Sequence, residues 1–426
     1  MAFQDRHGNA LTTASDQARD HYVRGVDLFL GGHYAAAEAF ADATAADPTF
    51  ALGHAGHARA LMMQGQMPQA KAALAAAQAQ AAACDSRERD HIAALARLLG
   101  GDAPGARAAV RAHVRDHPRD ALVAQMCTNV FGLIGFSGAV GREAALLAYT
   151  EALLPHYGED WWMMSMHALS LCETGQMAAS ERLMEAALAL NPRNANGAHF
   201  KAHAQYEVGE TAAGRAYLQD WMAGYDPRSV LHGHLSWHLA LWALHSGDVD
   251  GLWDAVDAQV GPDGAQGLPI NVLTDTVAIM YRAEMAGVPV SPARWARMSD
   301  YAAQYFPKTG QSFADIHAAL AHAMAGQGDR LAQIADGADG FAGDLARPVA
   351  RAFGLMARGA WAAAVAEMAP VLVATERLGG SRAQRDLLEL AYVNALMKAG
   401  QVDEARRSLI ARRPVLAAAP PVQGLH

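Results

Sequence analysis

The sequence predicts an all-α fold, a right-handed solenoid of about ten helical hairpins. Two observations carry this prediction. Glycines in turn-like contexts recur at near-constant spacing, 34 residues from Gly31 to Gly65 and again 34 from Gly175 to Gly209. The segments between them follow the apolar period of helices, with very little of the alternation that marks strands.

Along the chain the turns read GGHYAAA (31–37), GQMPQA (65–70) and GDAPGA (101–106), then GQMAAS (175–180), GETAAG (209–214) and GDVDGL (247–252). GVPVSP (287–292), GQGDRL (326–331), GAWAAA (359–364) and GQVDEA (400–405) complete the series. The gap of 74 residues between Gly101 and Gly175 has room for two units. The clearest unit is WMMSMHALSLCETGQMAASERLMEAALALNPRN, with Ala168, Gly175, Ala187 and Pro192 as small residue, turn, small residue and stop. Small residues let paired helices approach closely, and proline cannot continue the second helix. This pattern resembles the tetratricopeptide repeat, in which stacked hairpins bury a continuous core and leave a concave face.

The expected organisation is one array over 1–426: N-terminal repeats in 1–120, central repeats with the site in 121–330, C-terminal repeats in 331–415, and a flexible tail, 416–426. Residues 121–141, ALVAQMCTNVFGLIGFSGAVG, are uncharged and long enough to span a bilayer. Gln125, Thr128, Asn129, Ser137 and four glycines favour a buried soluble segment.

Composition narrows the function. Hydrophobic residues are 52% and charged residues 18%, a globular balance. A net charge of −9 and a pI of about 6.1 argue against a nucleic-acid or membrane-binding surface. Cys84, Cys127 and Cys172 lack CxxC spacing and form an odd set, so a reducing cytoplasm is expected. The N-terminal stretch shows no secretory signal.

Several stretches are similar to the tetratricopeptide repeat protein 38 family: MHALSLCETG (166–175), ALNPRNANGAHFKAHAQYEVGE (189–210), HLSWHLALWALHSGD (234–248), FADIHAALAHAMAG (313–326) and GGSRAQRD (379–386). They lie between residues 166 and 386, a span of about half the chain. Cys172 and Tyr206 depart from the family pattern, where an acidic residue and a methionine are expected. The resemblance implies a helical-repeat fold with a shared internal site and carries over no activity.

Within AHFKAHAQYEVGE (198–210), His199, His203 and Glu207 fall at i, i+4 and i+8 and form one helical stripe. Counting back from the turn glycines places Tyr206 on the same inward face, and His234, Trp237 and His238 inward from the next hairpin. Asp315 and His317, Asp275 and Trp162 occupy similar positions in their own hairpins. Lone histidines on packed faces are usually hydrogen-bonded core residues; two i, i+4 pairs on neighbouring helices suggest a shared site.

Three uses compete. No cofactor is required by the sequence, but a divalent metal could be held by His199 and His203, although HFKAH lacks the glutamate of H-E-x-x-H. Metal-free proton chemistry of hydrolase or lyase type would use His203 or His238 as base with Glu207 or Asp315 orienting it. Recognition alone would use His199, His234, His317 and Asp275 for polar contacts, with Trp162, Trp237 and Tyr206 supplying apolar surface. A small-molecule ligand is the preferred expectation. The alternative is a scaffold binding a peptide or protein in its concave groove.

GPDGAQG (261–267) follows a helix with no strand before it and is no dinucleotide loop. In GGSRAQRD the glycines are expected to end one helix and Ser381 to cap the next.

Overall fold

The computed structural model describes residues 3–418. Among the described residues the regular structure is helical, apart from a two-stranded antiparallel ribbon pairing Phe3–Gln4 with Ala10–Leu11. The helices succeed one another as ten regular helix–turn–helix pairs and one irregular pair, an all-α fold of the tetratricopeptide type. No helix among these residues is long and apolar enough to cross a membrane.

Nine of the ten predicted turn glycines take positive φ, a conformation that side chains other than glycine adopt at a cost. In the first hairpin that residue is Gly32 (φ 77°), while Gly31 remains helical (φ −78°). The turn therefore lies one residue later than its motif suggests.

The chain divides into two compact units. The first comprises Met1–Gly135, Glu143–Lys201 and Tyr225–Leu231; the second comprises Phe136–Arg142, Ala202–Gly224 and His232–His426.

In the first unit, helix approach is set by glycine against a large ring. The fully buried Phe40 lies where a Cβ on Gly25 or Gly56 would stand, 2.8 and 2.4 Å from ring atoms. Burying such a side chain contributes about 2–3 kcal/mol. The irregular pair is Ala121–Gln125 with Arg142–Tyr157, and residues 126–141 run between them in turns. Most of 121–137 is buried, as expected, but little of it is helix. Gly135 packs so tightly that a Cβ there would meet the Val130 carbonyl at 2.0 Å. A buried carboxylate also ties this unit together: Asp120 accepts from Arg87 Nη1 (2.8 Å), His91 Nδ1 (3.2 Å) and His113 Nε2 (3.1 Å). Burial alone would raise its pKa, yet His91, His113 and Arg87 hold it well below the usual carboxylate range.

In the second unit, Pro269–Met285 is buried around almost its whole circumference, the mark of a central helix. It is flanked by His232–His245, Ser312–Met324 and Arg382–Lys398. The last of these begins as the GGS motif requires. Gly379 (φ 94°) and Gly380 (φ 75°) lie against Phe136 and Phe313, and Ser381 caps the helix in a reciprocal pair with Gln384. The buried Arg142 donates to the carbonyls of Glu376 and Gly380 and fixes the same corner. Near the C-terminus, Pro414–Ala417 forms a short helix, so the expected tail does not begin at 416. Its remainder, 419–426, lies outside the described residues.

Two glycine substitutions separate backbone strain from close approach. Gly247 (φ 74°) has nothing within 4 Å of a hypothetical Cβ, whereas a Cβ on Gly380 would sit 2.4 Å from the Phe313 ring. Urea denaturation of Gly247→Ala should show a loss of about 1–2 kcal/mol from the left-handed backbone. Gly380→Ala should lose more, by about another 1–3 kcal/mol, because a core ring must move.

Candidate metal centre

His234 and His238 stand one turn apart on His232–His245, so they project from the same face. His203, on the part of Ala195–Glu207 that belongs to the second unit, meets them there. Ring centroids are 4.8 Å apart for His203–His238, 5.1 Å for His234–His238 and 6.4 Å for His203–His234. One nitrogen from each of the three lies within 4.8 Å of the others. His199, four residues before His203 on the same helix, is likewise buried.

All three imidazoles of the second unit are almost completely buried, His238 at 0% exposure. Burial depresses His203 to about 3, helped by repulsion from His234. Burial, then His203, His234 and Arg282, hold His238 well below the ordinary histidine value. His203 and His238 are therefore neutral at physiological pH, the form that binds metals.

His234 is oriented from behind. Its Nδ1 lies 2.8 Å from Oδ2 of the buried Asp275, on the central helix. The carboxylate accepts from Nδ1–H, which places the lone pair of His234 on Nε2. A carboxylate behind an imidazole is the usual support of a metal-binding histidine. Asp275, expected to touch a ligand, thus acts on a histidine instead.

Trp237 lies flat on His234, with centroids 5.1 Å apart and planes 14° apart, and edge-on to His238 at 5.0 Å. The Arg282 guanidinium lies 5.8 Å from the Trp237 ring centroid. Arg282 spends its Nη2 on the Ala383 carbonyl (2.9 Å) and on Asp386. Tyr206 donates to the other Asp386 oxygen and stacks on His245, with centroids 5.7 Å apart.

The remaining predicted residues take other places. Glu207 is engaged by Arg413 Nη1 (2.8 and 3.0 Å) and Arg382 Nε (2.9 Å), an ion-pair network on the outer end of its helix. Asp315 accepts from the Gly310 backbone N–H at 3.0 Å, and burial pushes its pKa up to about 6. His317 donates from Nδ1 to the Phe313 carbonyl at 2.7 Å. Trp162 belongs to the first unit, where it packs edge-on against Tyr157 at 5.6 Å.

Sequence reasoning missed Arg282, Asp386 as its partner, and the Asp120 cluster with His91. Arg282 and Asp386 are 104 residues apart, and no periodicity links them. The burial of an arginine inside an otherwise apolar helix, NVLTDTVAIMYRAEM, was the one available signal.

No known family model matches the chain. Among solved structures, the human IFIT1 dimer with PPP-AAAA is 14% identical, with 96% of each chain covered and a TM-score of 0.46. The P58(IPK) TPR domain is 14% identical, with 90% of this chain and 98% of that one covered and a TM-score of 0.22. The structure of Naa15/Naa10 bound to HypK-THB is 13% identical over 94% of this chain and 76% of that one, with a TM-score of 0.23.

Acid sensitivity follows from the buried neutral histidines. Burial lowers His317 to about 4 in the folded protein from an ordinary value of 6.5. The unfolded chain therefore binds the proton first, so stability is complete above about pH 6.5 and falls as pH drops toward 4. At pH 5 this single group should remove about 2 kcal/mol relative to pH 7. Urea denaturation of His317→Gln at both pH values should show a smaller acid loss than the unaltered protein.

Proposed function

We propose that the second unit binds a divalent transition metal of the zinc type at His203, His234 and His238, and that the bound ion acts on a small polar molecule. The observation that carries this reading is the convergence of three buried imidazole nitrogens within 4.8 Å, one of them backed by Asp275. A tetrahedral ion with bonds of about 2.0–2.1 Å spaces its donors about 3.4 Å apart. Closing from 4.8 Å to that spacing takes only small side-chain rotations.

Three neutral ligands leave the ion its full double charge and an open position. When bound, it would polarise a carbonyl or phosphoryl oxygen and lower the pKa of a coordinated water. Hydrolytic chemistry therefore has priority over the metal-free alternative, in which His203 or His238 is the base. A base depressed to about 3 is a weak proton acceptor near neutrality.

We also read the chain as a relative of the tetratricopeptide repeat protein 38 family. The motifs that carry the resemblance supply residues of this one neighbourhood: His203, the Trp237–His238 pair of WHLAL, and Asp386 of AQRD, which holds Arg282.

The test compares melting with and without chelator. Untagged protein should carry about one equivalent of zinc by elemental analysis, and EDTA should lower its melting temperature by roughly 5–15 °C. His203→Ala and His238→Ala should bind none and lose the chelator effect. If both variants unfold readily while the unaltered protein shows no chelator response, the histidines are core residues and the chain is a non-catalytic scaffold for a peptide or protein. Asp275→Asn keeps the shape but not the charge and should weaken zinc binding about 10–100-fold in a competition titration.

A further inference from the structure

Beside the three histidines lie donors that the protein itself does not use. Arg282 is 2% exposed, yet among the described residues its Nε and Nη1 have no hydrogen-bond acceptor, and neither does Nε1 of the fully buried Trp237. A buried N–H without an acceptor costs about 1–3 kcal/mol, more when it is charged. Three of them in one neighbourhood are retained only if an acceptor pays for them. Asp386 does not fill the role, because it meets Nη2 and Tyr206.

The three donors share one neighbourhood. The guanidinium lies 5.8 Å from the centroid of the Trp237 indole, which is itself stacked on His234 and edge-on to His238. Arg282 and the indole N–H together are suited to an oxyanion: a charged guanidinium with N–H groups left over after Nη2 is used, and a neutral donor nearby.

We infer that the molecule handled at the histidine centre is a small anion whose carboxylate or phosphate is held by the Arg282 guanidinium and by Trp237 Nε1, with its reacting end at His203, His234 and His238. This rests on the metal reading above. Asp386 is then a positioning residue: it holds Nη2 and so turns the two other guanidinium nitrogens away from itself, while Tyr206 shares its charge.

The experiment is calorimetry on protein whose zinc content has been measured first, with succinate in one arm and inorganic phosphate in the other. One of the two anions should bind the zinc-loaded protein, and which one does distinguishes carboxylate from phosphate. Trp237→Phe keeps the ring and removes the N–H. It should weaken that anion about fivefold to tenfold at unchanged zinc content. Arg282→Lys keeps the charge beside Asp386 but loses the paired donors, and should weaken it at least as much. If Arg282→Lys fails to fold by circular dichroism, Trp237→Phe decides alone. Full zinc loading with no heat from either anion, or unchanged affinity in the variants, overturns this inference and leaves the metal reading standing. Absence of zinc overturns the metal reading and this inference with it, and the elemental analysis shows which has failed.

Discussion

The second unit depends on the burial of ionisable groups in a helical core where each must be neutral or paired. An imidazole that charges there loses its hydration with little to replace it, so His203 and His238 are held far below their ordinary titration range. Carboxylates survive at the same depth only with a partner. Asp275 has His234, Asp386 has Arg282 and Tyr206, and Glu207 has Arg382 and Arg413. A core assembled for stability alone would use leucine at such positions, because replacing buried polar groups with well-packed apolar ones is often neutral or favourable. The polar groups in this one come from four helices, His203 from Ala195–Glu207, His234 and His238 from His232–His245, Asp275 and Arg282 from Pro269–Met285, and Asp386 from Arg382–Lys398.

The repeat architecture makes this concentration possible. A hairpin array presents one face of each first helix inward, and an i, i+4 pair on such a face aims both side chains the same way. His234 and His238 form such a pair, and His203 arrives from the preceding hairpin. The central helix then supplies groups from one face: Asp275 supports the histidines, and Arg282, two turns on, lies near Trp237 and pairs with Asp386.

Much of this was legible in the sequence. The turn spacing predicted the hairpins because a left-handed glycine is needed wherever the chain reverses, and the helical phase predicted that His203, His234 and His238 would converge. The role of each carboxylate was not legible. Glu207 shares the stripe of His203 but lies a full turn further on, where Arg413 reaches it from 206 residues away. Asp275 supports His234 across 41 residues. Trp162 matched the inward phase of its own hairpin, yet it packs within the other unit. In the first unit, His91 and His113 share Asp120, which sits in a loop outside any helical period. Periodicity reports which way a side chain faces; the partner it meets is fixed by tertiary packing over long sequence separations.

The central claim is that the three imidazoles coordinate one ion. X-ray absorption at the zinc edge of the untagged protein tests it most directly. The account predicts three or four nitrogen neighbours at about 2.0–2.1 Å with the outer-shell scattering of imidazole rings. A spectrum with sulfur neighbours, or with oxygen neighbours alone, would contradict it, as would protein with no metal edge at all.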